Sequence, residues 1–226
     1  MFSERCVTSI RRPPASARIS GRTAEPAAWW WATPSANVSF ASSATPTLSV
    51  VACVPPTLLA GDDGTVQSDA PGGMAPFALA DATAKPLAGF SVAARVLSRE
   101  DYGSDREADF SPVDLALGWG PMRDDAVLSQ LDISQSGRFY RYRWRGEPPI
   151  PPDDIVRSSA NMHLIPANSA VANALDAVDA GDRVRIDGWL VQIDANDGWR
   201  WRSSLTREDS GGGACELIYV CGVTRH

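Results

Sequence analysis

The 226 residues include two histidines, and His226 stands last, so any serine–histidine–acid chemistry must run through His163. That residue sits in the run Ser158-Ser159-Ala160-Asn161-Met162-His163-Leu164-Ile165-Pro166. Ser203 or Ser204 would be the nucleophile, the imidazole its base, and Asp114 the acid that orients the ring. The sequence offers no G-x-S-x-G elbow to present such a serine. A single histidine flanked by Asn161, Met162 and Leu164 is more often a hydrogen-bonded structural residue than a base. A second candidate chemistry is electrostatic. The stretch Trp199-Arg200-Trp201-Arg202-Ser203-Ser204-Leu205-Thr206-Arg207 interleaves aromatic rings, guanidinium groups and hydroxyls. With Arg141, Arg143 and Arg145 it makes a basic strip of the kind that grips an anionic ligand or single-stranded nucleic acid. Arg200, Arg202 and Arg207, joined by Trp119 and Asn161, are the candidate ligand contacts. Against this stands the ordinary role of surface arginines, which is to pair with surplus carboxylates.

Metal chemistry finds little to work with. The four cysteines, Cys6, Cys53, Cys215 and Cys221, form no C-x-x-C pair, and two histidines cannot complete a zinc site of standard spacing. Asp101, Asp105, Glu107 and Asp109 could gather calcium, but their spacing is not that of an EF-hand and a solvated loop is the simpler reading. No pair of carboxylates stands out for glycoside hydrolysis. No metal and no cofactor is expected. Cys215 and Cys221 share one apparent strand, which at roughly 3.3 Å per residue sets them about 20 Å apart, beyond disulfide reach. Any disulfide must join other pairs, and the simplest role for the cysteines is as small buried apolar residues.

The elements that must position these groups are mostly strands. Phe90, Val92, Ala94 and Val96 alternate with Ser91, Ala93 and Arg95, which predicts a half-buried strand followed by a polar loop over 98–109. Ser111-Pro112 is expected to open a helical turn that Gly118-Trp119-Gly120-Pro121 ends. Met122, Val127, Leu128 and Leu131 suit a short helix with Asp124 and Asp125 in its first turn. Phe139 to Arg145 is expected as a strand, with Tyr140, Tyr142 and Trp144 on one face and the arginines on the other. A short element follows over 155–165, then a small helix over 171–178 stopped by Gly181. Val184, Ile186 and Leu190 occupy one phase and Trp189, Val191 and Ile193 the other, so a bulge is expected at Gly188-Trp189. Asn196-Asp197-Gly198 supplies a hairpin turn. Ala214 to Val223 is apolar on both faces and reads as a central strand.

The start of the chain is different. Before Asp62 five arginines face only Glu4 and Glu25, and from Pro26 to Gly61 no charged residue occurs. That stretch holds Trp29-Trp30-Trp31, yet Pro34, Pro46, Pro55 and Pro56 interrupt it before about 18 apolar residues accumulate. Residues 1–60 are expected to be a disordered or targeting extension, an export signal or anchor, or upstream sequence read in frame from a mis-called start. Val50-Val51-Ala52-Cys53 also fits the small-residue pattern before a lipidated cysteine. Residues 61–85 read as a linker, and 86–226 as one β-rich domain. The net charge is −6, which disfavours general nucleic-acid binding. Lys85 is the only lysine, a bias expected of a GC-rich bacterial genome.

Three blocks carry a resemblance: Ser111-Pro112-Val113-Asp114-Leu115-Ala116-Leu117-Gly118-Trp119-Gly120, Asn161-Met162-His163-Leu164-Ile165-Pro166-Ala167, and Trp201-Arg202-Ser203-Ser204-Leu205-Thr206-Arg207 running into Gly213-Ala214-Cys215-Glu216. Over roughly residues 62–226 the chain resembles a family of uncharacterised proteobacterial proteins with no assigned activity. The resemblance implies an N-terminal membrane segment and a place in the cell envelope, although the N-terminus here departs from that pattern in lacking a clean anchor. The fold expected is α+β and mostly β: a small curled sheet or OB-like barrel with a few short helices. The function expected is non-catalytic, binding an unidentified protein or small ligand or serving a structural role in the envelope, membrane-anchored or periplasmic. The alternatives are a hydrolase built on His163 with Ser203 or Ser204, and an anionic-ligand or single-strand binder using the Arg/Trp strip.

Overall fold

The strands pair until they close on themselves. The computed structural model describes residues 3–5, 53–72, 74–206 and 214–226, all within one compact unit. In chain order its strands are β1 (Ser3–Arg5), β2 (Gly64–Asp69), β3 (Phe77–Leu79), β4 (Ala82–Asp101), β5 (Val113–Gly118), β6 (Asp132–Ser136), β7 (Phe139–Arg143), β8 (Ser159–Pro166), β9 (Arg183–Ala195), β10 (Arg200–Arg202) and β11 (Glu216–Arg225). Three short helices join them: α1 (Asp125–Leu128), α2 (Pro152–Arg157) and α3 (Ser169–Asp176). Among the described residues no helix is long and apolar enough to cross a membrane.

Strand β4 pairs with β5, β5 with β8, β8 with β11, β11 with β9, and β9 returns to β4. Only the β8–β11 pair is parallel. Counted along the barrel strands alone, the order is first, second, third, fifth, fourth, first, with α3 between the third and fourth. This is the connectivity of an OB-type barrel, and the protein is α+β and mostly β, as its sequence predicts. Alternate residues fill the interior: Phe90, Val92 and Val96 from β4, Leu115 and Leu117 from β5, Met162 and Leu164 from β8, Ile186 and Leu190 from β9, and Ile218 and Val220 from β11. Val171 and Leu175 of α3, with Val178 after it, join the same core. Asn168 caps that helix, its side chain accepting from the Val171 N–H at 3.0 Å.

Several sequence expectations change. Residues 113–118 form a strand rather than a helical turn, because Val113, Leu115 and Leu117 repeat with period two and meet ladders on both sides. Strand β4 runs 20 residues and is buried on both faces through its middle, since β9 takes one edge while β2, β3 and β5 share the other. The stretch 61–85 contributes β2, β3 and the start of β4 instead of a linker. Strand β9 keeps one phase throughout. The ladder irregularities fall on its partners, between Pro86 and Ala88 and between Val220 and Gly222. Gly188 has another purpose: a Cβ there would sit 2.2 Å from the Tyr219 carbonyl oxygen, so only glycine lets β11 approach this closely.

Two cysteine expectations also fall. Cys53 and Cys221 are joined by a disulfide, their Cα atoms 5.1 Å apart, and Cys215 is disulfide-bonded too. These residues are cross-links, not simply small apolar fillers, and a Cys53 sulfur bound to Cys221 cannot carry a lipid. The reason is a strap, residues 53–61, laid along the outside of the barrel. The Trp189 indole N–H donates to the Val54 carbonyl at 2.9 Å, and the Ala60 N–H donates to Ser91 Oγ at 2.8 Å. Ser91 Oγ in turn donates to Asp187 at 2.6 Å. The rest of the N-terminal extension lies outside the described residues, apart from β1, which pairs with β7.

Candidate functional site

The outer face of β5 and β8 carries the polar residues that the sequence singles out. Along these strands, residues facing away from the barrel core are Asp114 and Ala116 on β5 and Asn161 and His163 on β8, with Asp114 opposite His163 and Ala116 opposite Asn161. In OB-type barrels this face, with the loops beside it, is where oligonucleotides and oligosaccharides are bound. Here it is covered from within the chain. The 40 residues numbered 119–158 form an insertion between β5 and β8, and its β6–β7 hairpin lies across the face. Tyr140, Tyr142, Met122, Val127 and Ile155 pack there on Ala116.

The hairpin tip inserts a cation. Gly137 and Arg138 form a two-residue turn with φ of 57° and 69°, the left-handed region that L-residues with side chains adopt at a cost of about 1 kcal/mol. Arg138 is nevertheless buried, because every part of it is used. Its guanidinium pairs with Asp114 at 2.8 Å and Asp105 at 2.7 Å, donates to the Ser111 carbonyl at 2.9 Å, and lies 3.6 Å from the centre of the Tyr102 ring. Its backbone N–H donates to the Tyr102 hydroxyl at 2.9 Å. Burial works to lower the Arg138 pKa, but hydrogen bonds and charges from Asp105 and Asp114 outweigh it and the net shift is upward. Burial opposes ionisation of Asp105 as well, and Arg138 again wins, holding that carboxyl below its ordinary range. Tyr102 is pushed up to about 12, chiefly by burial and then by the charge of Asp114.

Asn161 completes the cluster. Its amide nitrogen donates to Asp114 Oδ2 at 3.1 Å and the Arg138 carbonyl at 3.2 Å, while its oxygen accepts from Gln135 at 2.6 Å. His163 is fully buried beside them. Its Nδ1 lies 2.9 Å from Asp114 Oδ1, but the contact lacks hydrogen-bond direction, and neither ring nitrogen has a hydrogen-bond partner among the described residues. That contact is a proximity, not the directed bond that holds a catalytic imidazole. Trp201 covers the ring, with centroids 4.8 Å apart.

The structure thus brings Asp114, Asn161 and His163 together and leaves the other candidates apart. Ser203 Oγ accepts from the Leu217 N–H at 3.0 Å and donates to the Ser204 carbonyl at 2.8 Å. Ser204 Oγ is engaged with the backbone of Thr206. Neither hydroxyl reaches His163. Trp119 belongs to the barrel core. Arg200 pairs with Asp194 at 2.5 Å and Arg202 donates to Gln192 at 2.8 Å, while Arg207 lies outside the described residues. The aromatic members of the strip are turned inward: Trp201 is buried, and Trp199 is stacked on Phe110 with Arg106 over its ring. Arg106 also pairs in two contacts with Asp197, at 2.6 and 2.9 Å, and thereby ties the loop before β5 to the β9–β10 hairpin. Asp101 and Asp105 of the acidic loop are each held by an arginine.

Sequence reasoning missed Arg138, Tyr102 and Arg106, and placed Asp105 only in the acidic loop, as a calcium ligand or a solvated residue, where the structure pairs it with Arg138. A signal for Arg138 exists in Ser136-Gly137-Arg138-Phe139, where glycine interrupts two alternating runs, Ile133/Gln135 and Tyr140/Tyr142, at hairpin spacing. Compared with known proteins, the chain matches no family model, no curated protein and no solved structure.

Proposed function

We propose that this chain is a non-catalytic binding or structural domain of the bacterial cell envelope, the location being what its resemblance to the proteobacterial family implies. The observation that carries the reading is the Cys53–Cys221 disulfide, which ties the strap to β11 across 168 residues of sequence. Such bonds persist in oxidising compartments and are rare in the cytosol. The non-catalytic part rests on where the polar groups point. Asp114, Asn161 and Ser203 are buried and spent on internal partners, and the imidazole of His163 is sealed beneath Trp201.

The test is to express the full chain in a Gram-negative host, fractionate the cells, and treat each fraction with a thiol-blocking maleimide before and after reduction. The expected result is recovery in the envelope fraction with cysteines that react only after reduction. Cytoplasmic protein with freely reactive thiols would overturn the envelope reading. The same material, treated with an active-serine probe, is expected to remain unlabelled. Labelling that disappears in Ser203→Ala or Ser204→Ala would replace the binding reading with the hydrolase one.

A further inference from the structure

Past the last paired residues of the β6–β7 hairpin, Asp132 and Arg143, the two chains diverge and leave a groove of about 600 Å³. Residues 129–132 form one side and 143–145 the other. Trp144 and Leu131 give the lining its apolar part. Trp144 is half-buried, its ring stacked on Tyr142 with centroids 6.2 Å apart and planes inclined by 18°, and Leu131 packs on the same cluster. Both walls are polar. Arg143 and Asp132, one from each side, pair at 2.5 Å and close the hairpin end of the groove while both side chains stay more than half exposed. Arg145 follows on the same side as Arg143, exposed and with no ion-pair or hydrogen-bond partner among the described residues.

We propose that this groove is a binding subsite for an acidic sugar, a pyranose bearing one carboxylate. The inference rests on reading the chain as a binding domain and supplies its ligand class. An indole face suits the C–H face of a pyranose, and its amphipathic ring tolerates the wet setting of an open groove. The Arg145 guanidinium matches a carboxylate in two-pronged geometry. Asp132 has acceptor capacity left over from Arg143, which suits donated sugar hydroxyls. Asp132 also sets the charge that fits. With Arg143 neutralised, one cation remains, enough for a single carboxylate.

The experiment is calorimetric titration of the full chain with trigalacturonate, using neutral galactotriose as the comparison. Saturable binding of trigalacturonate alone is expected. Arg145→Ala should weaken it about 10-fold or more, the loss typical of a charged hydrogen-bonding partner. Arg145→Lys should fall between, because lysine keeps the charge without the fork. Arg157→Ala, a surface arginine of α2 paired with Asp154, should change nothing. Arg145 is exposed, so its loss leaves the core packing intact. No saturable heat up to about 10 mM ligand, equal binding of galactotriose, or unchanged affinity in Arg145→Ala would each overturn the proposal. A chain that fractionates with the envelope, oxidised and unlabelled, yet shows any of these results loses the acidic sugar and keeps the binding reading.

Discussion

Replacing Arg138 by methionine tests whether the buried hairpin cation holds the covered face together. The substitution keeps a Cβ and an unbranched apolar stem, so the backbone strain of the turn is unchanged while the guanidinium, with its charge and its hydrogen bonds, is lost. Asp105 is 37% exposed and regains water when its partner goes. Asp114 is fully buried and does not. The variant therefore leaves one uncompensated carboxylate in the interior, a defect that costs about 3–5 kcal/mol. With a urea dependence of about 2 kcal/mol per molar for a domain of this size, the midpoint should fall by about 1.5–2.5 M. Adding Asp114→Asn removes the stranded charge and should restore most of that loss. The backbone cost can be measured separately. Arg138→Gly should be about 1 kcal/mol more stable than Arg138→Ala, because φ at this position is 69°. A midpoint loss below about 0.5 M in the single variant, or a double variant no better than the single, would refute the argument that the ion pair organises this face.

Gly188→Ala should fail to close the barrel normally, since its Cβ would meet the Tyr219 backbone oxygen at 2.2 Å and no side chain can swing away to relieve it; a thermal melt within a degree or two of wild type would contradict this. Cys53→Ser with Cys221→Ser frees a loop of 168 residues and should cost up to about 5 kcal/mol by the chain-entropy account, read as a shift in the urea midpoint; an unchanged midpoint would mean the strap is held without its cross-link. Tyr102 should ionise near pH 12, visible as a late step in ultraviolet absorbance that Tyr102→Phe removes. Its folded pKa is raised above the ordinary 10, so its contribution to stability is complete below pH 10 and fades as pH climbs to about 12. A tyrosine titration complete by pH 11 and identical in the variant would rule that assignment out.

The parts of the fold legible in the sequence are those with a local signal. The Asp197-Gly198 turn, the alternation of Tyr140 and Tyr142, and the doubly apolar run of β11 each follow from spacing or turn chemistry, and each is present. Residues 113–118 misled because Ser111-Pro112 suits a helix start as well as a strand entry, and only the ladders to β4 and β8 decide between them. The strap was illegible for a similar reason. Pro55 and Pro56 look like part of a disordered or targeting extension, and Gly61 like the start of a linker, until Trp189 and Ser91 supply partners more than thirty positions away. Of the site, Asp114, Asn161 and His163 were found from residue type alone. Arg138 was not, since nothing local says that a turn residue will be swallowed by a face it meets only after folding.

The parallel contact between β8 and β11 also dictates an order of events. Strand β11 enters between β8 and β9, two ladders that no earlier part of the chain supplies. Until residues 216–225 are available, the barrel is an open sheet with β8 and β9 exposed along one edge each, and open edges invite foreign strands. Cys221 lies on that same strand, so the Cys53–Cys221 bond fastens the strap to the last strand to enter the barrel. A chain that closes this late stays open until its last strand is available. Its rate of maturation would then be set by long-range pairing, the slow class of folding step.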